Sequence, residues 1–350
     1  MAGVLRRLLL VVAGLLVAAG LLEGLLRLSG QGVRSQAGLF VVENDGAIGL
    51  APCASDRVRR PDGLVTTLTT DRLGLRAASA CAEPSASRTL VLGDSQVFGL
   101  GVAAEDSFAA RMGALNGGVP DYAIGDALAR GRRLLSHPEL SGVRRVLVVV
   151  NQSNDFDDGT RPVGERNVIR GGYLLRQDRL DTRGAGLWST PLVHSALFYT
   201  LWARFAPPSA AAPGAWLTDP GSLTPLAASL GEAVRTFANG YPTLEVQLVW
   251  LPADLATSEA NARTSVLYRT GDPAALSLWE RHELRDALAG GWGAPIVDLT
   301  PVLTEAGAFL AHDFHLSERG HAAVAEFLTA RPGPIDRRLA PAVYRPGPLR

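Results

Sequence analysis

The stretch Arg88-Thr-Leu-Val-Leu-Gly-Asp-Ser-Gln-Val-Phe-Gly99 decides the fold of this chain. Its apolar beginning, as far as Leu92, is typical of a short strand that ends at Gly93. Helical spacing follows at 105–115, so the sequence predicts a strand, a loop and a helix in that order. Ser95 lies in the loop, and we therefore expect it at the carboxyl-terminal edge of a sheet.

Strand-like and helix-like stretches alternate along the rest of the chain. Arg145 to Val150 is a continuous apolar run, which is typical of a parallel strand covered on both faces. Apolar periodicity predicts further strands at 244–251 and 295–299, and helices at 125–136, 223–237, 275–288 and 318–328. The alternation predicts an α/β fold, in which helices cover both faces of a parallel sheet.

The N-terminal residues 1–30 are predicted to form a signal anchor, a transmembrane helix that is not removed. Arg6 and Arg7 precede a run of fifteen residues without a charge, and Glu23 and Arg27 are spaced to pair where the helix leaves the bilayer. The length of this run, fifteen residues, is intermediate between that of a signal-peptide core and that of a full membrane span, so a cleaved signal peptide is the alternative. In either case the arginines keep the N-terminus cytoplasmic and the bulk of the chain outside, in the periplasm or at the cell surface.

The chain beyond the anchor is predicted to have several parts. Residues 31–86 form an extracytoplasmic lead segment, 87–330 the main domain and 331–350 a Pro-rich tail. Within the main domain the alternation breaks at 156–221, which is predicted to be an insertion. The insertion either caps a site or is a surface excursion with its own small core, and its aromatic residues include Trp188, Phe198, Tyr199 and Trp202.

Composition excludes some classes of function. The 34 basic and 34 acidic residues balance, which gives no electrostatic reason to expect a nucleic-acid partner. All 34 of the Lys and Arg residues are arginine, which excludes a lysine as general base, Schiff-base former or phosphate-binding residue. Cys53 and Cys81 are the only cysteines; in an oxidising compartment they are predicted to pair, and two free thiols are the alternative.

A polar cluster, Asn151-Gln-Ser-Asn154-Asp155, directly follows the apolar strand. An asparagine at the carboxyl-terminal end of a strand can direct its amide toward the same edge as Ser95 and stabilise an oxyanion there. The alternative interpretation is a simple turn, because Asn and Asp favour turns.

A histidine-rich cluster, His312-Asp-Phe-His315-Leu-Ser-Glu-Arg-Gly-His321, lies directly before the last predicted helix. A serine nucleophile needs a base, and the base needs a carboxylate that orients it. Asp313 and His315 are two residues apart, so in a loop their side chains can converge. We expect His321 to be a packing residue and His312 to be solvated. The other histidines lie in segments that carry no pattern of a catalytic partner, and they are predicted to be structural: His137, His194 and His282.

With these clusters in this order, the chain resembles the SGNH (GDSL-type) hydrolase superfamily, and within it the proteins with a single membrane span. Residues 93–99, 151–155 and 313–321 match its Gly-Asp-Ser, Asn-Asp and Asp-x-His blocks, and 70–76 is similar to its Thr-Asn-x-x-Gly-x-Arg block. The resemblance covers roughly 65–330. It implies a three-layer α/β/α sandwich with a five-stranded parallel sheet, the flavodoxin-like SGNH fold, with no cofactor and no metal.

The resemblance also implies a role for each residue of the site. Ser95 is the nucleophile, His315 the base and Asp313 the carboxylate that orients the base. The Ser95 backbone N–H and the Asn154 side chain donate hydrogen bonds to the oxyanion. An α/β-hydrolase elbow is disfavoured, because it needs glycine two residues after the serine and this chain has Val97 there.

One departure from the family pattern concerns the oxyanion hole. The family carries a glycine whose N–H completes the hole, and in the run Asn116-Gly-Gly-Val-Pro-Asp121 the expected glycine is Asp121. The backbone donor of Asp121 survives, but a carboxylate beside a developing oxyanion is electrostatically adverse. Asp tolerates unusual backbone angles better than most residues. Three outcomes are open: the enzyme is tuned differently, another glycine such as Gly125 supplies the backbone donor, or activity has been lost.

The predicted function is a serine-dependent ester hydrolase or O-acyltransferase that acts through an acyl-enzyme on Ser95, outside the cytoplasmic membrane. The expected partners are an acylated carbohydrate or lipid as substrate, and the membrane through the N-terminal helix. One alternative is a catalytically inactive SGNH binding or scaffold module of an envelope polysaccharide system, which Asp121 alone supports. Another is a metal-dependent phosphoesterase, whose ligands would be Asp94, Asn154, Asp313, His312 and His315. Such sites need an additional upstream Asp-x-His pair, which this sequence lacks.

Overall fold

The computed structural model describes residues 2–30, 33–34, 37–60, 62–158, 161–177, 194–205, 217, 219–265, 281–310 and 313–330. The predicted Pro-rich tail lies outside the described residues, as do Trp188, His312 and the side chain of Trp202.

Helices and short strands alternate in the described residues. The strands are β1 (Phe40–Val42), β2 (Ile48–Leu50), β3 (Ser55–Arg59), β4 (Val65–Thr69), β5 (Thr89–Leu92), β6 (Leu115–Asn116), β7 (Arg145–Asn151), β8 (Asn167–Arg170), β9 (Tyr173–Arg176), β10 (Glu245–Leu251) and β11 (Val297–Asp298). The helices are α1 (Ala2–Leu28), α2 (Ser95–Phe98), α3 (Phe108–Arg111), α4 (Ile124–Leu135), α5 (Asp155–Asp158), α6 (Val163–Arg166), α7 (Ala196–Phe205), α8 (Thr224–Asn239), α9 (Glu259–Thr264), α10 (Glu283–Trp292) and α11 (Glu318–Thr329).

The N-terminal helix α1 is exposed along almost its whole length. Among the described residues it is the one helix that is long and apolar enough to cross a membrane, as a membrane anchor or a signal sequence does. Arg27 and Glu23 pair near its end, with 2.5 Å between Nε and Oε1, as predicted.

Five parallel strands form the central sheet, in the order β11-β10-β7-β5-β6. Strand β7 shows that the sheet is covered on both faces. Its Val146, Val148 and Val150 belong to one buried cluster and its Leu147 and Val149 to a second, because successive side chains of a strand point to opposite sides. Helices α4, α8 and α10 contribute to the first cluster, and α3 and α11 to the second. The fold is therefore the predicted three-layer α/β/α sandwich.

The region around α3 differs from the predicted helix at 105–115. Ser107 caps the N-terminus of α3, and Gly113 follows it with a left-handed φ of 65°, so the helix is confined to one turn. The chain then enters β6, the edge strand that the apolar pattern did not reveal. The predicted helix at 275–288 is described only from 281 onward, where α10 begins at Glu283.

The lead segment, 31–86, packs on the main domain. Its strands form the antiparallel hairpins β1–β2 and β3–β4. Leu39, Leu68 and Leu75 are buried in the same cluster as the central sheet. Cys53 and Cys81 are joined by a disulfide, which is the predicted pairing. The described part of the lead segment thus shares the core of the sandwich.

The described part of the insertion contains the hairpin β8–β9 and the helix α7. Glu23 of α1 accepts hydrogen bonds from the backbone N–H groups of Ala196 and Leu197 (3.0 and 2.8 Å) and from the Ser195 hydroxyl (2.9 Å). These bonds cap the N-terminus of α7 and attach the insertion to the end of the apolar helix. Helix α7 also carries three of the aromatic residues named above, Phe198, Tyr199 and Trp202.

Candidate active site

Ser95 is the first residue of α2, at the carboxyl-terminal end of β5. The Asp94 carboxylate accepts a hydrogen bond from the Gln96 N–H (2.9 Å) and so caps this short helix. A Cβ atom on Gly93 would lie 2.5 Å from the Val97 side chain, so the turn leaves no room for a larger residue. The Gly-Asp-Ser sequence therefore forms the expected turn from strand to helix, and Ser95 is 6% exposed.

His315 connects Ser95 to Asp313. Its Nε2 lies 2.8 Å from the Ser95 Oγ, and its Nδ1 lies 2.6 Å from the Asp313 Oδ1. The same carboxylate oxygen accepts a hydrogen bond from the His315 backbone N–H (3.1 Å), which fixes the loop. His315 is buried. The structure thus brings these three predicted site residues into one continuous chain of hydrogen bonds.

The Asp313 carboxyl favours its ionised form. Burial alone would raise its pKa, but the hydrogen bonds from His315 and the charge of that ring outweigh burial and lower the pKa below the ordinary value. An ionised carboxylate at this position favours the tautomer of His315 with a proton on Nδ1. Nε2 is then the acceptor for the Ser95 hydroxyl.

Gln96 fastens the histidine loop to the serine turn. Its Nε2 donates a hydrogen bond to the Phe314 carbonyl, and its Oε1 accepts one from the Leu316 N–H, each at 2.9 Å. Phe314 and Leu316 flank His315, and Gln96 is buried. The sequence carried no signal for this contact, because its partners are 218 and 220 positions away.

Asn151, the last residue of β7, and Asn154, three residues beyond it, share the carboxylate of Asp94. Asn151 donates its side-chain N–H to Asp94 (2.7 Å), and the Asn154 side chain is hydrogen-bonded to the same carboxylate. Burial raises the pKa of Asp94, and these bonds oppose that rise. Asn154, the predicted oxyanion donor, therefore lies beside the residue that precedes Ser95. An amide has two N–H donors, so one bond to Asp94 leaves the second for a substrate oxygen.

Asp121 has a backbone conformation that suits glycine, with a φ of 63°. The loop before it lies against the serine turn, because the Val119 N–H donates to the Gly93 carbonyl (3.1 Å). The Arg166 guanidinium donates to the Asp121 carbonyl (2.7 Å). The left-handed backbone is the physical reason to expect glycine here, and the fold accommodates Asp121. Gly125, the alternative donor, lies in the first turn of α4.

A second buried carboxyl, Asp254, lies near Asp313. It follows β10, is 2% exposed, and accepts a hydrogen bond from the Leu255 N–H (2.8 Å). Burial raises the pKa of Asp254 to about 6 and the negative charge of Asp313 adds to this rise, while a hydrogen bond with Ser265 opposes it. The sequence carried no signal for this residue, because nothing local marks it as close to the histidine loop.

The remaining histidines have other surroundings. His321, in the first turn of α11, stacks on the Phe108 ring at 5.6 Å between centroids and accepts a hydrogen bond from the Phe108 N–H (3.2 Å). Burial lowers the pKa of His321 to about 3, so the ring is neutral and serves packing, as predicted. His137 precedes a short turn and His282 precedes α10, while the backbone carbonyl of His194 accepts a hydrogen bond from the Arg27 guanidinium.

Four of the five ligands of the phosphoesterase alternative lie in the described residues, and each of them is hydrogen-bonded within the protein: Asp94, Asn154, Asp313 and His315. Asp94 accepts hydrogen bonds from Gln96 and Asn151 on its two oxygens, and Asp313 bonds His315. Among the residues that the structure describes, no group of three or more His, Cys, Asp or Glu side chains is placed to hold a metal ion.

Comparison with solved structures finds a distant structural likeness. No protein-family model matches the sequence, and no curated protein matches it significantly. The structure is similar to a chain from Desulfitobacterium hafniense DCB-2 that is described as a lipolytic protein of the G-D-S-L family, with a TM-score of 0.35 and 13% sequence identity. The likeness covers 70% of this chain and 99% of that chain.

Proposed function

We propose that this chain is a serine-dependent ester hydrolase or O-acyltransferase that forms an acyl-enzyme on Ser95. The observation that supports the proposal is the chain of hydrogen bonds from Asp313 through His315 to Ser95, at 2.6 and 2.8 Å. A hydroxyl at the end of such a chain can pass its proton to the imidazole as its oxygen attacks a carbonyl.

The first half of the reaction transfers the acyl group to the protein. The Ser95 Oγ attacks the acyl carbonyl carbon, and its proton moves to the His315 Nε2. Asp313 stabilises the resulting imidazolium through its bond to Nδ1. The tetrahedral intermediate then expels the alcohol, which takes the proton from His315, and an ester on Ser95 remains.

The second half of the reaction reverses these proton transfers. Water, or a hydroxyl of an acceptor, attacks the acyl group while His315 removes its proton. The acyl group leaves Ser95, which regains a proton from His315. Water as the attacking group makes the protein a hydrolase, and a sugar hydroxyl makes it a transferase.

We assign the oxyanion to three donors: the backbone N–H groups of Ser95 and Asp121 and the side chain of Asn154. Ser95 begins a helix, so its N–H has no acceptor within that helix. Asn154 lies at the end of β7 beside Asp94, and Asp121 lies on the loop that packs against the serine turn. Donors directed at a developing negative charge contribute several kcal/mol to catalysis, roughly 3–4 kcal/mol for one donor.

We further propose that the site acts on an acylated carbohydrate or lipid outside the cytoplasmic membrane, with α1 as an uncleaved anchor. Arg6 and Arg7 precede the apolar part of α1, which favours a cytoplasmic N-terminus. The disulfide between Cys53 and Cys81 fits an oxidising compartment. A reporter fused after Arg350 that works only when exported should be active, and activity of a reporter that needs the cytoplasm would overturn this topology.

The experiment that tests the activity is a series of nitrophenyl esters of increasing acyl length, with an acetylated-glycan acceptor assay beside it. We expect turnover of at least the acetyl ester, unchanged by a metal chelator. Loss of turnover with the chelator and recovery with a divalent metal would favour the phosphoesterase alternative. Absence of turnover on every ester would favour the inactive binding module.

A further inference from the structure

A cleft of about 570 Å³ lies beside the loop that carries Asp121. Three parts of the chain form its walls: the turn between β1 and β2, one side of α4 with the two residues before it, and the beginning of the insertion at 161–164. Its volume falls within the range of about 300–1,000 Å³ that is usual for small-molecule sites. Nothing in the reaction described above uses this cleft.

The loop 116–122 lies between the cleft and the helix that begins at Ser95. Its wall includes Tyr122, the residue after Asp121. The loop before Asp121 packs tightly on α2: the Asn116 side chain donates to the Val97 carbonyl (2.8 Å), and a Cβ on Gly118 would lie 2.3 Å from the backbone of α2. A ligand in the cleft therefore lies next to the loop that borders Ser95.

Hydrogen bonds hold the walls of the cleft together. The Val163 N–H donates to the Asp126 carboxylate (3.1 and 3.2 Å), which attaches the insertion to α4. The Tyr122 hydroxyl donates to the Ile48 carbonyl and attaches the β1–β2 hairpin. Because each wall is bonded to another, the cleft is a formed site and not a gap between loose segments.

The lining of the cleft fits an uncharged ligand with many hydroxyl groups. Two acidic and two basic side chains line it, Asp45, Asp126, Arg133 and Arg161, so it has no surplus charge for an anion. Arg133 pairs with Asp45 at 3.4 Å. Carboxylates and guanidinium groups bond sugar hydroxyls, and the small apolar side chains between them suit the C–H faces of a sugar ring. An acyl chain would instead need a lining without charges.

We propose that this cleft binds a neutral oligosaccharide, the glycan that carries or receives the acyl group. The role of the glycan in acyl transfer rests on the proposed function, whereas glycan binding in the cleft does not. Of the two proposed substrate classes, carbohydrate and lipid, the cleft favours carbohydrate.

The test uses the full-length protein in detergent and a residue that lines the cleft without taking part in the reaction. Gly164 lines the cleft, and a Cβ placed on it meets no atom within 4 Å, so Gly164→Leu adds bulk without a clash. Gly290 in α10 lies outside the cleft lining and has the same free space, so Gly290→Leu is the matched control. The probes are neutral xylo-, cello-, manno- and N-acetylchito-oligosaccharides, with binding measured by calorimetry.

We expect at least one probe to bind the wild-type protein with a Kd below about 10 mM, and Gly164→Leu to weaken that binding about tenfold or more. Gly290→Leu should bind like the wild type and should hydrolyse nitrophenyl acetate at the wild-type rate. The proposal is overturned if no probe binds, or if Gly164→Leu binds as the wild type does. Glycan binding without any nitrophenyl acetate hydrolysis would overturn the proposed function and leave the cleft assignment standing.

Discussion

The two halves of the candidate site differ in how their residues are held. On the proton-transfer side, His315 is bonded to Ser95 at one ring nitrogen and to Asp313 at the other, and Gln96 fixes the backbone on both sides of it. On the oxyanion side, Asn154 is bonded to Asp94, and a backbone position that suits glycine carries a carboxylate, Asp121.

This difference shows which half the protein arranges without a substrate. The proton-transfer half needs only its own side chains, so all of its hydrogen bonds are formed in the free protein. The proposed oxyanion half would take its partner from the substrate, and in the free protein the Asn154 side chain is bonded to Asp94 instead. We expect substitutions in the proton-transfer half to lower turnover sharply, and a substitution of Asp121 to change turnover only moderately.

The largest effect is expected for Ser95→Ala, which removes the nucleophile. Turnover of the best nitrophenyl ester should fall roughly 10⁵–10⁶-fold, as in serine enzymes that lose this hydroxyl. The circular dichroism spectrum and the melting temperature should not change. Ser222→Ala, at an exposed serine whose hydroxyl bonds only its own turn, is the control and should keep full activity. Wild-type turnover in Ser95→Ala would remove Ser95 from the mechanism.

Asp313→Asn is expected to be nearly as damaging. The amide cannot hold the Nδ1–H tautomer of His315, so Nε2 would carry the proton and could not accept one from Ser95. We expect kcat to fall roughly 10³–10⁴-fold with little change in KM. A loss of less than tenfold, measured on folded protein, would contradict the role of Asp313 as the orienting carboxylate.

Gln96→Leu tests the support of the proton-transfer half. The change leaves the Phe314 carbonyl and the Leu316 N–H without a buried partner and loosens His315. Each lost bond is worth about 1 kcal/mol, so kcat should fall about 10–100-fold with KM nearly constant. Gln96→Glu keeps the acceptor for Leu316 and should recover part of kcat. Equal stability losses in both variants with unchanged kcat would reduce Gln96 to a packing role.

Asp121→Gly tests the oxyanion half. Glycine adopts the φ of 63° without cost, and the change deletes a negative charge that opposes the developing oxyanion. We expect kcat at neutral pH to rise several-fold, with little change in substrate binding. Asp121→Asn separates the two causes, because it removes the charge and keeps a side chain. Equal or lower kcat in Asp121→Gly would show that the carboxylate faces away from the oxyanion or holds a substrate hydroxyl.

An effect on stability alone, with no change in turnover, is expected at Asp254. Its pKa of about 6 in the folded protein lies above the ordinary 3.8, so folding favours the protonated form. The resulting penalty is absent below pH 3.8, grows as the pH rises to about 6 and is complete above it. Each pKa unit of this shift corresponds to about 1.4 kcal/mol. The change in the free energy of unfolding caused by Asp254→Asn should therefore be about 2–3 kcal/mol more favourable at pH 7 than at pH 4. Denaturant unfolding at the two pH values measures this, and a pH-independent effect would contradict it.

The sequence predicts those parts of the molecule whose signal is local. β7 is recognisable because burial on both faces leaves an uninterrupted apolar run, Arg145 to Val150. Asp313 and His315 are recognisable because they are two residues apart and precede a helix. Asp121 is recognisable only through the resemblance, as a departure from the family's glycine, and the structure adds the physical reason for that glycine, a left-handed φ of 63°.

The sequence does not predict features that depend on distant contacts or on very short elements. β6 has two residues, too few for a periodic pattern, so the fifth strand followed only from the resemblance. The bonds of Gln96 to the histidine loop join segments more than two hundred residues apart. The proximity of Asp254 to Asp313 likewise exists only after β10 and the last loop have come together.

The most direct test of the central claim is covalent labelling with a serine-directed fluorophosphonate, followed by peptide mapping of the full-length protein. The reagent is attacked only by an activated hydroxyl, so it reports the nucleophile without any assumption about the natural substrate. We predict one label, on Ser95, with labelling slowed strongly in His315→Ala and absent in Ser95→Ala. A label on another serine, or equal labelling of the wild type and Ser95→Ala, would contradict the account.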